Sequence, residues 1–168
     1  MQTMKKASLI ILFLSAFVMN GCAGNNKPGN DSVSNSTTSA VSPANENEGT
    51  VVYLTTEEFR KQIWDYQKNP DSWNYKGKVP CIIDFYADWC RPCRMVAPIM
   101  EELAKTYKGK VKFYKVNTDK ERELSATFQI RSIPAIMYIP KEGKPQMSVG
   151  AQPKENYIQN IKDFLKVQ

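Results

Sequence analysis

The sequence predicts one α/β domain over residues 50–168, and three observations support this fold class. Strand and helix patterns alternate along these residues, which is typical of an α/β domain. Residues 81–86 form a mostly apolar run, as in a strand that is buried on both faces. Tyr157, Ile161 and Leu165 follow the spacing of a helix with one apolar face. Of the 168 residues, 42% are apolar, which is enough for one core.

Caps and periodicity predict the first two elements of the domain. Residues 51–54 are suited to a short strand. Thr55 and Glu58 match a capping box, and apolar residues then recur on one helical face. We therefore expect a helix from Thr55 to about Lys68, where the Asn-Pro pair at 69–70 ends it.

The central strand and the longest helix are predicted next. A polar and aromatic loop at 71–78 leads into a strand at 80–86. Pro92 suits the first turn of the following helix, because an N–H in that turn has no helical partner. Gly109 is placed to end this helix, and Pro98 should kink it.

The last third of the chain predicts three strands and two helices. A strand at 111–116 precedes a short helix that Thr118 or Asp119 could cap. A hairpin formed by strands at 135–139 and 146–149 follows. A final helix at 153–165 completes the prediction.

Composition excludes several classes of function. The chain has no histidine, which removes Ser-His and Cys-His catalysis and every zinc site that needs imidazole. Without Lys5 and Lys6 of the leader, 21 basic and 17 acidic residues remain, a balance of +4 that is too mild for a nucleic-acid-binding protein. We expect neither a cofactor nor a bound metal. The chemistry is expected to reside in the four cysteines, Cys22, Cys81, Cys90 and Cys93.

The N-terminus has the pattern of an export signal. A cationic start at 1–6, an apolar run at 7–19 and a small residue before Cys22 predict a signal peptide over 1–21. The apolar run is shorter than the about 20 residues of a membrane span, so a permanent anchor helix is the weaker interpretation. The Gly21-Cys22 junction resembles the lipobox of bacterial lipoproteins, which predicts lipid on Cys22; ordinary secretory cleavage is the open alternative.

Residues 22–49 are predicted to form a disordered tether. They are rich in Asn, Ser, Thr, Gly and Pro and contain no aromatic residue. Such a composition cannot offset the entropy lost on ordering the chain. A flexible coil of this length reaches about 30 Å, so a domain anchored at Cys22 would swing clear of a membrane. A spacer without a reach-dependent role is the alternative.

Cys90 and Cys93 form a Cys-x-x-Cys pair at the point where the central strand gives way to a helix. A thiolate at Cys90 would face the free N–H groups and the positive end of the helix dipole, which lower its pKa. We therefore predict that Cys90 is the nucleophile. Cys93, one turn in and less exposed, is expected to resolve the mixed disulfide that Cys90 forms with a substrate.

Two structural interpretations of this pair are weaker. A zinc site would need two further ligands, and only Cys81 and Cys22 remain to supply them. A static disulfide that closes so short a loop would add little stability.

The segment from Asp84 to Pro98 resembles the active site of the thioredoxin family. Three later segments, at 115–119, 130–135 and 149–151, are similar to thioredoxins in order and spacing. The resemblance covers residues 50–168 and implies the thioredoxin fold, a central mixed β-sheet with helices on both faces. Thioredoxin is itself the reference example of a Cys-x-x-Cys with a lowered thiol pKa, so this property is carried over from the family.

The resemblance implies roles for residues around the cysteines. Asp84 falls where thioredoxins bury a carboxylate that takes the proton of the second cysteine, and Lys115 falls where a lysine lies near that acid. A structural role for Asp84 and a solvated position for Lys115 are the alternatives. Pro134 matches the cis proline of the family, and the backbone of Ile133 before it pairs with substrate.

Four further residues are expected to bind substrate: Trp89, Arg91, Pro92 and Gly150. The resemblance implies that Trp89 shields the thiolate and contacts partners, with packing as the alternative, and that Gly150 allows close approach of a partner backbone, with the end of a strand as the alternative. Arg91 departs from the family because it replaces the usual glycine, and its charge would lower the Cys90 pKa and raise the redox potential unless solvent screens it. Cys81 is an extra thiol, which we interpret as a small buried apolar residue and not as a third redox group.

The sequence thus predicts a monomeric, lipid-tethered protein-disulfide reductase that acts outside the cytoplasm. Its expected partners are exported proteins with disulfides, together with an electron donor, because that compartment is oxidising. A dithiol oxidase or disulfide isomerase of the same fold is the first alternative. A binding module whose thiols are idle is the second.

Overall fold

The computed structural model describes residues 49–168. The predicted signal peptide, the predicted lipid on Cys22 and all of the predicted tether except Gly49 lie outside the described residues. Within residues 49–168, no helix combines the length and the apolar character needed to cross a membrane. The elements of this part are β1 (Val51–Tyr53), α1 (Thr56–Gln62), β2 (Cys81–Tyr86), α2 (Cys93–Thr106), β3 (Lys112–Asn117), α3 (Arg122–Thr127), β4 (Ala135–Ile139), β5 (Gln146–Val149) and α4 (Lys154–Asp163).

The five strands form one mixed sheet in the order β1-β3-β2-β4-β5. β3 is parallel to both β1 and β2, whereas β4 is antiparallel to β2 and to β5. The register places Tyr53, Lys115, Asp84 and Ile136 side by side across four strands. We call these four residues the central row. The row brings an acid to the middle strand of the sheet.

Helices cover both faces of the sheet, as expected for the thioredoxin fold. Apolar residues of α2 and α4 pack with Ile82, Phe113 and Ile136 on one face. Apolar residues of α1 and α3 pack with Ile83 and Phe85 on the other. Because neighbouring residues of a strand point to opposite faces, β2 is buried on both sides, and its mostly apolar sequence is explained.

Helix α2 leads away from the end of β2 and spans 14 residues, about 21 Å. Pro92 precedes it with φ −65°, a backbone angle that already fits a helix. The N–H groups of Arg94 and Met95 donate to the carbonyls three residues earlier, so the first turn is tight. Gly109 lies in the turn after the helix with φ +74°, a backbone angle that favours glycine, although the helix itself ends three residues earlier at Thr106.

Helix α1 is shorter than predicted, since it ends at Gln62 and not near Lys68. The capping box of Thr55 and Glu58 is present as expected. Beyond the helix, the Trp64 ring packs on Trp73 with 5.0 Å between ring centroids, and its Nε1 donates to a loop carbonyl at 2.9 Å. This tertiary packing outweighs the helical periodicity of the sequence.

The predicted cap of the short third helix was wrong. α3 begins at Arg122, and neither Thr118 nor Asp119 caps it. The side-chain oxygen of Asn117 instead accepts from the N–H groups of Asp119 and Lys120, at 3.0 and 3.3 Å. An Asx turn at the end of β3 therefore takes the place of the predicted helix cap.

Candidate active site

Cys90 and Cys93 are joined by a disulfide, with sulfur atoms 2.02 Å and Cα atoms 5.3 Å apart. Cys93 is the first residue of α2, and Cys90 lies in the turn that connects β2 to this helix. The Cys93 N–H donates to the Cys90 Sγ at 3.2 Å. A free N–H at the start of a helix thus points at the sulfur that we predict to be the nucleophile, and it would stabilise a thiolate there.

The two cysteine residues do not differ in exposure as the sequence suggested. Cys90 is 2% exposed and Cys93 is 4% exposed, so the expectation that Cys93 is the less exposed of the two is wrong for the oxidised protein. Both lie in one small cluster with Ala87, Tyr86 and Ile133. The bridge holds the sulfurs together, and the same neighbours therefore cover both.

Asp84 lies on the face of the sheet that carries α2, since it follows Ile82 by two residues on β2. Its side chain is buried, and its Oδ1 has no hydrogen-bond partner. Burial raises the pKa of Asp84 to about 7, against the smaller opposing effect of the Lys115 charge. A carboxyl with this pKa can take up or release a proton at neutral pH.

Lys115 is half-buried in the central row, next to Asp84 on one side and to Tyr53 on the other. Its Nζ lies 4.0 Å from the centroid of the Tyr53 ring. Within residues 49–168 it forms no ion pair with Asp84. The lysine therefore acts on the acid through its charge and not through a direct contact.

The loop before β4 faces the disulfide. The Ile133–Pro134 peptide bond is cis, as in the family pattern. Half-buried Ile133 packs beside Cys90 and Cys93. Gly150, at φ +90°, donates its N–H to the Pro134 carbonyl at 2.8 Å, which fixes the loop to the end of β5. These residues lie where the resemblance places a substrate backbone.

A groove of about 380 Å³ opens beside this loop. Trp89 forms one wall, is 69% exposed, and donates its Nε1–H to Asp119 at 2.9 Å. Arg91 and Pro92 are exposed in the turn between the cysteines. The groove is lined by Trp89, Thr118, Ile130, Arg131, Ser132 and Ile133. An extended polypeptide could lie in it with a disulfide near Cys90.

The extra thiol is remote from this chemistry. Cys81 is fully buried at the start of β2, among apolar residues of the face that carries α1 and α3. Burial raises the pKa of the Cys81 thiol to about 12, so it stays protonated. No group of residues in the described part of the chain could hold a metal ion.

Sequence reasoning missed the residues that hold the site from the side of β3. Asp119 anchors the Trp89 indole, and the Asn117 amide donates to the Asp88 carboxylate at 3.3 Å. A signal for them was available, because the carboxyl ends of parallel strands meet at one edge of a sheet. The turn after β3 was therefore bound to lie beside the turn after β2.

The comparisons agree with this geometry. A family model described as Thioredoxin matches residues 50–163. The thioredoxin of Borreliella burgdorferi is 46% identical over 113 residues, which are 67% of this chain and 96% of that protein. Thioredoxin 1 of Nostoc sp. is 46% identical over 112 residues, with 67% of this chain and 94% of that protein covered.

Two plant proteins extend the comparison. The chloroplastic M-type thioredoxin of Spinacia oleracea is 35% identical over 133 residues, which cover 77% of this chain and 72% of that protein. The crystal structure of chloroplastic thioredoxin z has the same fold, with a TM-score of 0.58 and 24% identity over 70% of this chain and 96% of that chain. The chain belongs to the thioredoxin family of thiol–disulfide oxidoreductases.

Proposed function

We propose that the protein reduces disulfides of other proteins outside the cytoplasm, with the Trp-Cys-Arg-Pro-Cys segment at 89–93 as its active site. The observation that carries the proposal is the hydrogen bond from the Cys93 N–H to the Cys90 Sγ. It aims the positive end of a helix at one of two sulfurs that already form a disulfide. The groove that would receive the substrate is lined by Trp89, which precedes Cys90 in the chain, and by Ile133, which packs against both cysteines.

The proposed reaction has two exchange steps. In the first, the Cys90 thiolate attacks one sulfur of the substrate disulfide, a bond to Cys90 forms, and the other substrate sulfur leaves as a thiolate. In the second, Cys93 gives its proton to Asp84 and attacks the Cys90 sulfur, which releases the second substrate thiolate. The substrate gains two electrons, and the dithiol of Cys90 and Cys93 is oxidised to the disulfide.

The buried carboxyl suits the second step. Asp84 lies on the α2 side of the sheet, and Cys93 begins that helix. With a pKa raised to about 7 by burial, Asp84 is partly ionised at neutral pH and is a stronger base than an ordinary carboxylate. Ile133 and Trp89 would hold the substrate backbone beside the Cys90 thiolate, so that Cys93 can attack once the mixed disulfide has formed.

The sequence supports a location outside the cytoplasm and a membrane tether. Residues 1–21 have the pattern of a signal peptide, and Cys22 follows a junction of the lipobox type. We propose that lipid on Cys22 anchors the chain and that residues 22–49 separate the catalytic domain from the membrane. A reductase in this oxidising compartment needs a dithiol donor that returns the Cys90–Cys93 bridge to thiols.

Metabolic labelling with a radioactive fatty acid tests the anchor, and a signal retained by a Cys22→Ser chain would disprove it.

Reduction of insulin tests the catalytic proposal. In the presence of dithiothreitol, the wild-type protein should accelerate the precipitation of insulin chains, and Cys90→Ser should lower the rate to that of dithiothreitol alone. Cys81→Ala is the matched control, because it removes a thiol outside the site and should keep the wild-type rate. Equal rates for wild type and Cys90→Ser would refute the enzyme and favour a binding module.

A trapping experiment separates the roles of the two cysteines. Cys93→Ser should accumulate a mixed disulfide between Cys90 and its substrate, because the resolving sulfur is gone. Adding dithiothreitol should release the substrate for identification. Stable adducts formed on Cys93 in a Cys90→Ser chain, and not on Cys90 in a Cys93→Ser chain, would reverse the assigned roles.

A dithiol oxidase or isomerase is the second candidate function, and Arg91 is the observation that favours it. Its side chain is exposed between the cysteines, where its positive charge would stabilise the Cys90 thiolate and make the disulfide more oxidising. Equilibration with glutathione measures the potential, and Arg91→Gly is the informative variant. A wild-type potential near about −120 mV would indicate an oxidase, and one near about −270 mV a reductase.

A further inference from the structure

The central row places Lys115 between two different partners. Adjacent strands are about 4.8 Å apart, so Asp84 on β2 and Tyr53 on β1 flank Lys115 at similar distances. The side chains of Asp84, Lys115 and Tyr53 all point to the face that carries α2 and α4. Each lies two residues after an apolar residue of that face, which is Ile82, Phe113 and Val51 respectively. Lys115 can therefore reach toward either neighbour.

The structure shows which neighbour holds the lysine. The Lys115 Nζ lies over the Tyr53 ring, 4.0 Å from its centroid. This is within the range of a cation–π interaction. Asp84 Oδ1, a strong acceptor in a buried position, is left without a hydrogen-bond partner. The Lys115 ammonium thus lies over Tyr53 of the edge strand β1, while the Asp84 carboxyl on β2, on the other side of β3, has an open acceptor.

We propose that Tyr53 is a positioning residue that holds the Lys115 ammonium on its ring and so prevents it from forming an ion pair with Asp84. The proposal rests on the proposed role of Asp84 as the proton acceptor of Cys93. An ion pair between Lys115 and Asp84 would stabilise the carboxylate and make it a poor base. Tyr53 therefore keeps Asp84 able to accept a proton from Cys93.

The other charged and titratable groups around the row do not take this role. Tyr157 of α4 is raised in pKa by its own burial and, to a lesser extent, by the Asp84 charge. Tyr86 lies with its ring 6.4 Å from the Tyr53 ring, and Asp88 adds a negative charge near both tyrosines. The Lys115 ammonium, as hydrogen-bond donor and as charge, lowers the pKa of Tyr53. Ile136, on the far side of Asp84, is apolar.

Tyr53 is a suitable site for substitution because it lies on the three-residue edge strand and is 63% exposed. Tyr53→Leu removes the aromatic ring, and the matched control Tyr53→Phe keeps it. The measurement is the titration of the Asp84 carboxyl carbon by NMR in the full chain in its oxidised form, assigned with Asp84→Asn. It needs no turnover, so its outcome does not depend on whether the protein reduces insulin.

The expected result is a lower titration midpoint in Tyr53→Leu only. An opposite charge that comes within about 4–6 Å lowers the pKa of a carboxyl by about one to three units. The full shift would follow only if the ammonium had been held entirely by the ring and then moved entirely to Asp84. Because the loss of a cation–π contact at an exposed ring can shift this equilibrium by no more than its own small free energy, we expect a fall of about half a pKa unit in Tyr53→Leu and a midpoint close to that of wild type in Tyr53→Phe. In a Lys115→Met background, Tyr53→Leu should leave the Asp84 midpoint unchanged, because no ammonium remains to be released.

Three results would overturn the proposal. The first is an unchanged Asp84 midpoint in Tyr53→Leu. The second is an equal fall in Tyr53→Phe, which would assign the effect to the hydroxyl and not to the ring. The third is the same fall in the Lys115→Met background. If Cys90→Ser reduces insulin as fast as wild type, the proposed function fails, while the titration still decides whether Tyr53 positions Lys115.

Discussion

Asp84→Asn should stabilise the oxidised protein, and the gain should grow with pH. The carboxyl is 4% exposed, and its Oδ1 is unpaired. Its pKa is about 7 in the folded protein because burial disfavours the charged form, against a usual value of 3.8. Between these two values the folded protein binds a proton that the unfolded chain has lost. The stability of the wild type therefore falls as the pH rises from about 4 to about 7.

The size of the effect follows from the two pKa values. A difference of about three pH units at about 1.4 kcal/mol per unit gives about 4 kcal/mol. The wild type is not destabilised in this way at pH 4, where Asp84 is protonated in the folded protein. It is destabilised by the full amount above pH 7. The amide of Asn is neutral at both pH values. The advantage of Asp84→Asn over wild type should thus increase by about 4 kcal/mol between pH 4 and pH 8.

Urea unfolding of the oxidised protein at pH 4, 6 and 8 measures this difference. Asp71→Asn is the control, because it removes a carboxyl from an exposed loop and should give no such pH-dependent gain. An advantage of Asp84→Asn that is the same at pH 4 and pH 8 would refute the reasoning, since it would mean that Asp84 titrates alike in the folded and unfolded chains. The same variant should reduce insulin more slowly, because Cys93 loses its proton acceptor.

Two further substitutions test the packing around the site. Cys81→Ala should lower the free energy of unfolding by about 1 kcal/mol, because it leaves a small cavity in a fully buried position, and an unchanged urea midpoint would contradict this packing. Gly150→Ala should destabilise the protein by about 1–2 kcal/mol, because φ is +90° at this position although no atom within 4 Å opposes a Cβ. If the alanine variant unfolds at the wild-type urea concentration, the loop must be free to change its φ.

Most elements of the fold were predictable because local signals and tertiary structure agree. The capping box at Thr55 and the apolar run of β2 each correspond to the observed structure, and the glycine at 109 lies in the turn after α2. The end of α1 was not predictable from periodicity. Trp64 continues the apolar face of the helix in sequence but packs on Trp73, nine residues later in an irregular loop. Such a contact depends on the path of the loop, which no periodic pattern reports.

The sequence predicted the chemistry of the candidate site but not the residues that hold its side chains in place. Cys90 and Cys93 are readable because a Cys-x-x-Cys pair where a buried strand gives way to a helix is a specific local pattern, whereas Asp84 was assigned through the resemblance to the thioredoxin family. The partners of Lys115 and Trp89 are not readable in this way. They depend on strand order and register, which place β1 and the turn after β3 beside the site. The similar burial of Cys90 and Cys93 likewise follows from the bridge and its neighbours, not from the position of either cysteine in the chain.

The central position of β2 explains how this fold can provide a carboxyl that titrates near neutral pH. A pKa raised by about three units requires a site from which water is excluded and in which the backbone cannot move to pair the carboxyl. β2 meets this requirement because it is hydrogen-bonded to a strand on each side and covered by helices on both faces. The face of the sheet to which the acid points matters as much as its burial. Ile83 and Phe85 are equally buried but point toward α1 and α3, so an acid at either position would be separated from Cys93 by the sheet.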